Sequence, residues 1–381
     1  MYAKIAMLVG VALLIGAGIA VFAGSSAPYT QSRAFTPVPS AEHARTIAAM
    51  KPPKRARPVA AVIAENSGTE TTDYLVPYSV LAESGVVEVV ALATQAGPVK
   101  LVPALRIEPQ STTAAFDARY PDGADYVIVP KIEDTDNAAV VTWIKAQAAK
   151  GAMIVGVCNG VKTVSAAGLL ENRSATGHWY DIGDIRKQNP SMRWVRDRRY
   201  VVDHGVVTTT GVTASLPVSL ALVEAIAGSE RAALLAEKLG VKSWDARHDS
   251  ASFALDWSSR RTTIRNTLAF WDRQTYGVPV SPGVDEIALA FAADAWSRTY
   301  QSQALAIADR SGPIRTRRGL TLLPDAVAGE RRNVVMLSPP SSSEPAHDLP
   351  AALEGIAARH GMDSAAIVAL QLEYPWSPQR R

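Results

Sequence analysis

Residues 151–179 read GAMIVGVCNGVKTVSAAGLLENRSATGHW, and this stretch decides the fold because a strand, a corner and a helix follow one another in it. The apolar residues 152–157 predict a buried strand, and the small residues beyond the corner predict a helix packed close to a sheet. Cys158, the single cysteine of the chain, lies at the corner. Ligands bind at this end of the strands in open α/β sheets, and a helix N-terminus favours the thiolate. The position predicts a nucleophile, with an inert buried cysteine as the alternative.

Strands and helices alternate on both sides of this corner. Apolar runs at 59–65, 86–94 and 124–130 predict strands, and the patterns at 72–85 and 137–151 predict helices. Such alternation indicates an α/β fold with a doubly wound, mostly parallel, flavodoxin-like sheet that is covered by helices on both faces.

The composition is that of a folded chain. Of its 381 residues 48% are hydrophobic and 20% are charged, which suits one large domain or two smaller ones. The net charge is only +3, and no dense stripe of Lys and Arg is interleaved with aromatic residues, so we expect no nucleic-acid partner. A single cysteine excludes an intrachain disulfide framework and cannot by itself build a structural zinc site. We predict neither a metal nor a cofactor.

The N-terminal region carries a different signal. Residues 5–23 are apolar and uncharged, and the run is about long enough to span a bilayer, which predicts a membrane anchor or signal segment over 1–24. The run is longer than a usual signal core, so we expect a single-pass transmembrane helix with the bulk of the chain extracytoplasmic. Residues 25–58 are rich in Ser, Thr, Pro and Ala, and they predict a linker.

The stretch 151–179 also resembles the cysteine elbow of the ThiJ/PfpI family, whose fold is that of the type I glutamine amidotransferases. The likeness is closest to the branch that holds isonitrile hydratase-like enzymes and the sensor domains of certain AraC-type regulators. In that branch the elbow is followed by AGLL and then by a TxHW segment, which are residues 167–170 and 176–179 here. Residues 203–228 are similar to the last strand, Thr-Gly turn and final helix of that branch. The resemblance covers residues 59–228.

The resemblance implies a set of site residues. It predicts catalytic roles and a substrate pocket for these side chains: Cys158, Asp73 and His178 as catalytic residues, with Asn159, Glu70, Thr176 and Trp179 in the pocket. The family pairs its cysteine with an acid placed four residues before a proline, which in DYLVP is Asp73. A buried carboxyl of this kind can donate a proton or relay one. Asp73 can instead cap the helix, and Glu70 is the second candidate acid.

Two further positions limit the chemistry that the resemblance implies. His178 can act as a base or form a hydrogen bond at the rim of the pocket. Asn159 cannot take up a proton, so a Cys-His hydrolytic pair at the elbow is not expected. Many family members carry glycines after the strand that ends in VP, whereas this chain has Lys131 and Glu133. Their bulk argues against an oxyanion site built from backbone amides.

A second, partial unit is predicted beyond a helical connector at 229–278. Residues 96–109, AGPVKLVPALRIEP, recur as residues 311–324, SGPIRTRRGLTLLP, in one register. This predicts a degenerate α/β half repeat over 279–381 that lacks the elbow and the cysteine. Chance similarity between two α/β segments is the alternative.

The sequence leaves two classes of function open. The first is a membrane-anchored, cysteine-dependent hydratase or hydrolase that acts on a small electrophile, with Cys158 as nucleophile and Asp73 as proton donor or acceptor. The second is a noncatalytic module that binds or senses a small molecule. A regulator relative without its DNA-binding domain is less favoured, because the half repeat occupies the place of a helix-turn-helix pair. A homodimer remains an open alternative.

Overall fold

The computed structural model describes residues 35–376 of the chain. Its α-helices are α1 (Ser40–Ala49), α2 (Thr71–Ser84), α3 (Thr113–Arg119), α4 (Ala138–Ala149), α5 (Gly160–Ala166), α6 (Ile182–Gln188), α7 (Ser215–Ala227), α8 (Ser229–Leu239), α9 (Trp257–Leu268), α10 (Glu286–Ser297), α11 (Asp348–His360) and α12 (Met362–Leu372). Its strands are β1 (Val59–Ala64), β2 (Thr69–Glu70), β3 (Glu88–Ala93), β4 (Val99–Val102), β5 (Arg106–Glu108), β6 (Ser111–Thr112), β7 (Tyr126–Val129), β8 (Met153–Gly156), β9 (Ser174–Ala175), β10 (Arg193–Trp194), β11 (Tyr200–Asp203), β12 (Val206–Thr209), β13 (Gln274–Val280), β14 (Ser302–Ala308), β15 (Ile314–Arg315), β16 (Thr321–Leu322), β17 (Ala326–Val327) and β18 (Val334–Met336).

A seven-stranded sheet forms the centre of the N-terminal part, in the order β11-β12-β8-β7-β1-β3-β6. Its neighbouring strands are parallel, except that β11 and β12 pair antiparallel. The chain runs outward from β1 in both directions, as in doubly wound sheets. The predicted α/β, mostly parallel, flavodoxin-like fold is confirmed.

Helices cover both faces of this sheet. Successive residues of β1 point to opposite sides, so this strand contributes side chains to two separate cores. Ala60 and Val62 belong to a core shared with Tyr74 of α2 and Leu220 of α7. The alternate residues Ala61 and Ile63 belong to a second core, which includes side chains from α4 and α5. The strand is buried along its whole length, which explains why its sequence is apolar without alternation.

The helix ends follow the local signals of the sequence. The side chain of Asn137 caps α4 by accepting a hydrogen bond from the N–H of Val140. Gly85 ends α2 with φ of 69°, a left-handed conformation that costs glycine little. α2 therefore ends, and α4 begins, close to the predicted residues.

The C-terminal segment, residues 274–376, contains a second parallel sheet in the order β17-β14-β13-β18. Apart from β2 and α3, which have no counterpart, the elements from β13 to β18 follow the order of those from β1 to β7: strand, helix, strand, hairpin, short strand, strand. This shared order supports a half repeat, which stays a prediction, as do the domain boundaries. The first strand starts at Gln274, before the predicted boundary at 279.

A third sheet, ordered β15-β16-β5-β4-β2, joins the two parts of the chain. Leu322 of β16 lies directly opposite Ile107 of β5 in an antiparallel pair. Ile107 and Leu322 are equivalent residues, because each is the twelfth residue of the similar segments 96–109 and 311–324. Equivalent residues face each other in this way only where a two-fold axis passes between them. An approximate two-fold axis therefore relates β4 and β5 to β15 and β16, and α2 packs on α10 beside it.

The predicted linker at 25–58 is wrong for the part of it that the structure describes in detail. Residues 40–49 form α1, whose Glu42 pairs with Arg198 and whose His43 lies 3.1 Å from Glu224. Met50 is fully buried, and its carbonyl oxygen accepts a hydrogen bond of 2.7 Å from Tyr126. These contacts attach the segment to α7 and the central sheet, so its polar composition did not mean a free spacer.

The membrane prediction also requires correction. Among residues 35–376 no helix is both long and apolar enough to cross a membrane. The longest helix of that range, α2, has 14 residues and measures about 21 Å, short of the roughly 30 Å of a bilayer core. The predicted single-pass membrane localisation is therefore contradicted for the described residues. The transmembrane helix predicted at 5–23 lies outside the described residues.

Candidate active site

Cys158 occupies a sharp corner between β8 and α5. Its backbone is left-handed, with φ of 52°, an unusual conformation for a side chain other than glycine, asparagine or aspartate. Its N–H donates a hydrogen bond of 3.0 Å to Oγ1 of Thr209 on the neighbouring strand β12. This bond holds the strained corner against the sheet.

The corner needs glycine two residues after the cysteine. A Cβ atom on Gly160 would lie 1.9 Å from the carbonyl oxygen of Val129, at the end of the adjacent strand β7. Because α5 begins at Gly160, the helix can approach the sheet this closely only without a side chain. The elbow is thus built by the close packing that the small residues of the sequence predicted.

Two acidic residues lie at the start of α2. Glu70 caps the helix, and one of its carboxylate oxygens, Oε2, accepts a 2.5 Å hydrogen bond from the N–H of Asp73. Asp73 is fully buried, and its Oδ2 accepts a bond of 3.2 Å from the N–H of Lys131. Its Oδ1 is buried without a hydrogen-bond partner among the described residues. The N-cap role considered for Asp73 therefore belongs to Glu70.

A cavity of about 230 Å³ opens in front of the elbow. The N-terminal part contributes these predicted site residues to its wall: Glu70, Cys158, Asn159, His178 and Trp179. Asp73 lies behind the wall, and its charge acts on the thiol. Thr176 is also buried outside the lining, and its N–H donates to Oγ1 of Thr208 at 2.9 Å.

The C-terminal helix α12 forms one side of the cavity. Its residues Ile367, Leu370 and Gln371 line the wall. Nε2 of His178 lies 3.1 Å from the carbonyl oxygen of Gln371, and Nε1 of Trp179 donates a bond of 2.9 Å to the carbonyl oxygen of Leu370. The two aromatic side chains thus attach α12 to the N-terminal part. This geometry gives His178 a hydrogen-bonding role at the rim.

Burial dominates the electrostatics of the acid and the thiol. It raises the pKa of Asp73 to about 7, against the opposing effects of the Lys131 N–H and the Arg298 charge. Burial also raises the pKa of the Cys158 thiol well above its ordinary value, and the charges of Asp73 and Glu70 add to the rise. The expected preference for thiolate is therefore wrong, because desolvation and two acids outweigh the helix N-terminus.

Lys131 and Glu133 lie where the sequence comparison expected the glycines of other family members. Their side chains form an ion pair of 3.2 Å, and Lys131 reaches the cavity wall. The N–H of Lys131 is engaged by Asp73, so this amide orients the acid in the present arrangement. Among residues 35–376 no cluster of His, Cys, Asp and Glu side chains is suited to a metal ion.

Sequence reasoning missed the contribution of the C-terminal segment to the cavity. Arg298 lines the wall and reaches Glu70, with its Nη2 2.6 Å from Oε1. It also pairs with Asp294 on α10, one helical turn earlier. One local signal was available, because Asp294 and Arg298 form an i,i+4 charge pair at the end of an otherwise apolar helix. A pair of this kind inside an apolar pattern indicates a buried polar contact.

The fold and the strained corner define a flavodoxin-like α/β protein with a cysteine elbow. The sequence profile of the DJ-1/PfpI family matches residues 58–225. Isonitrile hydratase from Pseudomonas putida is 31% identical over 165 residues, which are 42% of this chain and 68% of that protein. The chain belongs to the DJ-1/PfpI family, as the resemblance implied.

Other relatives match smaller parts or lower identities. The HTH-type transcriptional regulator CdhR from Pseudomonas aeruginosa is 29% identical over 100 residues, which are 26% of this chain and 30% of the regulator. The crystal structure of DJ-1beta from Drosophila melanogaster has 21% sequence identity and a TM-score of 0.42, over 47% of this chain and 96% of that one. The chain thus spans less than a third of the length of this regulator.

Proposed function

We propose that this protein is a cysteine-dependent hydratase of a small, uncharged electrophile with a carbon-nitrogen multiple bond, or a related hydrolase. The activity named for the P. putida relative supports this choice, as does the position of Cys158 in the cavity wall. A cavity of about 230 Å³ suits a substrate of only several heavy atoms beyond its reacting group.

The observation that carries the proposal is the raised pKa of the buried Asp73 carboxyl. A carboxyl with a pKa of about 7 can both give and take a proton near neutral pH. Its Oδ1 is buried and has no partner among the described residues, so this oxygen is free to carry the proton. The elbow thiol beside it is largely protonated at neutral pH, so attack requires a base, and the ionised form of Asp73 can supply it.

For an isonitrile the steps balance without a further reactant except water. The Cys158 Sγ bonds to the terminal carbon of the substrate, the thiol proton is taken up through Asp73, and a proton is delivered to that carbon. The product of this step is a thioimidate. Water then adds to the same carbon, a proton moves to nitrogen, the C–S bond breaks and the thiol is restored. An N-substituted formamide leaves.

The test is turnover of a panel of small aliphatic isonitriles and nitriles. We expect the wild-type protein to form the formamide or amide, with one oxygen from labelled water detected by mass spectrometry. Cys158→Ala should abolish the product, and Asp73→Asn should slow it by about 100-fold or more. Asp134→Asn is the matched control, since it makes the same change at an exposed position. A folded wild type that is inactive on the whole panel, or Cys158→Ala with full activity, contradicts the proposal.

A noncatalytic ligand-binding module is the second candidate. The protonated thiol and the engagement of the Lys131 N–H by Asp73 favour it, because both reduce the reactivity of the elbow. It predicts that members of the same panel raise the melting temperature of the protein and are recovered unchanged. Product formation at any catalytic rate excludes this candidate.

A further inference from the structure

We propose that Arg298 is a positioning residue of the Cys158 site: supplied by the C-terminal segment, it fixes the Glu70 carboxylate in the cavity wall and stabilises the Cys158 thiolate when it forms. The proposal rests on the proposed function in one respect, namely that this cavity is where the protein acts. Arg298 lies outside the residues 58–225 that match the family profile.

The contacts of Arg298 connect it to the start of α2, directly at Glu70 and through Asp294 at Thr72. Its Nη2 lies 2.6 Å from Oε1 of Glu70, and its Nε donates to Oδ1 of Asp294 at 2.5 Å. The other oxygen of Asp294 accepts a bond of 2.8 Å from Oγ1 of Thr72, the neighbour of Asp73. Asp294 therefore orients Arg298 and binds α2 at the same time. The Arg298 side chain retains 18% exposure, on the cavity side.

The approximate two-fold axis explains why this arginine reaches the site. The hydrogen bond from the N–H of Leu323 to the carbonyl oxygen of Arg106, at 2.9 Å, extends the symmetric pairing at Ile107 and Leu322. Beside it, the end of α10 approaches the start of α2. The end of α2 in turn approaches the start of α10 through Arg318, between β15 and β16, which pairs with Glu83 at 2.9 Å and with Glu286 at 2.7 Å. The charged residue at the end of each helix is thus linked to the first turn of the other, Arg298 directly to Glu70 and Glu83 through Arg318.

Hydrogen bonding indicates which acid is ionised. Both oxygens of Glu70 accept hydrogen bonds, one from Arg298 and one from the Asp73 N–H, as an ionised carboxylate does. Burial, together with Asp294 and Asp73, raises the pKa of Glu70, and Arg298 opposes this rise. Asp73, which has the unpartnered oxygen, is also placed to carry a proton. Without Arg298, Glu70 would be an isolated buried charge.

The charges around the thiol give Arg298 and Glu70 opposite effects on it. Arg298 favours the thiolate, whereas Glu70 and Asp73 oppose it. The remaining ionisable groups of the cavity wall are Lys131, paired with Glu133, Asp181, paired with Lys162, and the side chains of His178, Tyr180 and Tyr300. Mutation of Arg298 and of Glu70 should therefore change the charge next to the thiol in opposite directions, which makes this pair the clearest test.

The experiment measures the rate of iodoacetamide alkylation of Cys158, the single cysteine, against pH in the full-length protein. Arg298→Met should raise the midpoint pH, and Glu70→Gln should lower it, each by about half a unit or more. The double variant should return close to wild type, and Arg298→Lys should retain most of the wild-type profile. Arg310→Met, at an exposed arginine of the same segment, is the matched control.

A merely structural contact gives a different result. Loosening the site would raise the alkylation rate by one factor at every pH and leave the midpoint in place for both single variants, and that outcome overturns the proposal. If Arg298→Met does not fold, the alkylation profiles of Glu70→Gln and Arg298→Lys test the proposal instead. An unchanged midpoint pH in Glu70→Gln also contradicts the proposal. Alkylation needs no turnover, so a failed hydratase assay leaves this test readable.

Discussion

The indole N–H of Trp179 donates a hydrogen bond of 2.9 Å to the carbonyl oxygen of Leu370, across 191 residues of sequence. The bond joins the segment that follows the elbow to the last helix of the described chain. Since Leu370 also lines the cavity, we expect access to Cys158 to depend on how firmly α12 is held.

The first prediction concerns this attachment. Trp179→Phe removes the N–H donor and keeps an aromatic ring, so α12 should open more often. Alkylation of Cys158 should accelerate by about fivefold, the factor that corresponds to a net hydrogen bond of about 1 kcal/mol. Trp271→Phe makes the same change at a side chain that is 69% exposed, and it should have no effect. Equal labelling rates in both variants would mean that α12 does not limit access.

The second prediction concerns pH and stability. The pKa of Asp73 is raised from 3.8 to about 7 in the folded state. Between these two pH values the folded protein therefore binds more protons than the unfolded protein does. The contribution of Asp73 to the free energy of unfolding is therefore full below about pH 4 and is lost as pH rises through about 7. Asp73→Asn should remove this loss, and its stability relative to wild type should increase over that window by up to about 4 kcal/mol.

Urea unfolding of both proteins at several pH values between 4 and 8 checks this prediction. Asp134→Asn, which changes an exposed carboxyl, should run parallel to wild type. A stability difference between wild type and Asp73→Asn that is constant with pH would show that Asp73 titrates normally.

The third prediction concerns the elbow. Gly160→Ala places a Cβ atom 1.9 Å from the Val129 carbonyl oxygen, which cannot yield without moving β7. We expect a loss of about 3 kcal/mol in the free energy of unfolding, together with a displaced Cys158. In Gly183→Ala, where a Cβ atom meets nothing within 4 Å, the change should instead be neutral or slightly stabilising. Thermal and urea unfolding compare the two, and similar losses would refute the packing explanation.

The fourth prediction concerns the contact at the two-fold axis. Ile107 and Leu322 are both buried and lie opposite each other, so each truncation to Ala should cost about 3 kcal/mol. The double variant should lose less than the sum, by about 1 kcal/mol, because the two side chains share one contact. Ile107→Ala combined with Val164→Ala should be additive, since Val164 belongs to the other core. Additive losses for the facing pair would contradict the contact.

Sequence reasoning recovered the parts of the site that local patterns encode. The strand before Cys158 is apolar and the helix after it starts with glycine, so the corner was visible within a few residues. Asn137 and Gly85 marked helix ends by their own conformational preferences. The family resemblance added Glu70 and Asp73, but the sequence did not indicate which of them caps the helix.

The parts that sequence reasoning missed depend on contacts between distant residues. Arg298 and Glu70 are separated by 228 positions, and no periodicity relates them. The thiolate expectation failed for a similar reason, because a helix N-terminus is a local feature, whereas burial and the charges of Glu70 and Asp73 depend on the assembled fold. The polar segment around α1 looked like a linker because its partners, such as Arg198 and Glu224, lie far along the chain.

The approximate two-fold axis has a consequence for how the site responds to dilution. A residue delivered by a separate subunit is lost when protein falls below the dissociation constant, but Arg298 is tethered to the same chain as Cys158 and keeps a fixed effective concentration. The alkylation profile, and any specific activity, should therefore remain constant per mole of chain from micromolar to nanomolar protein.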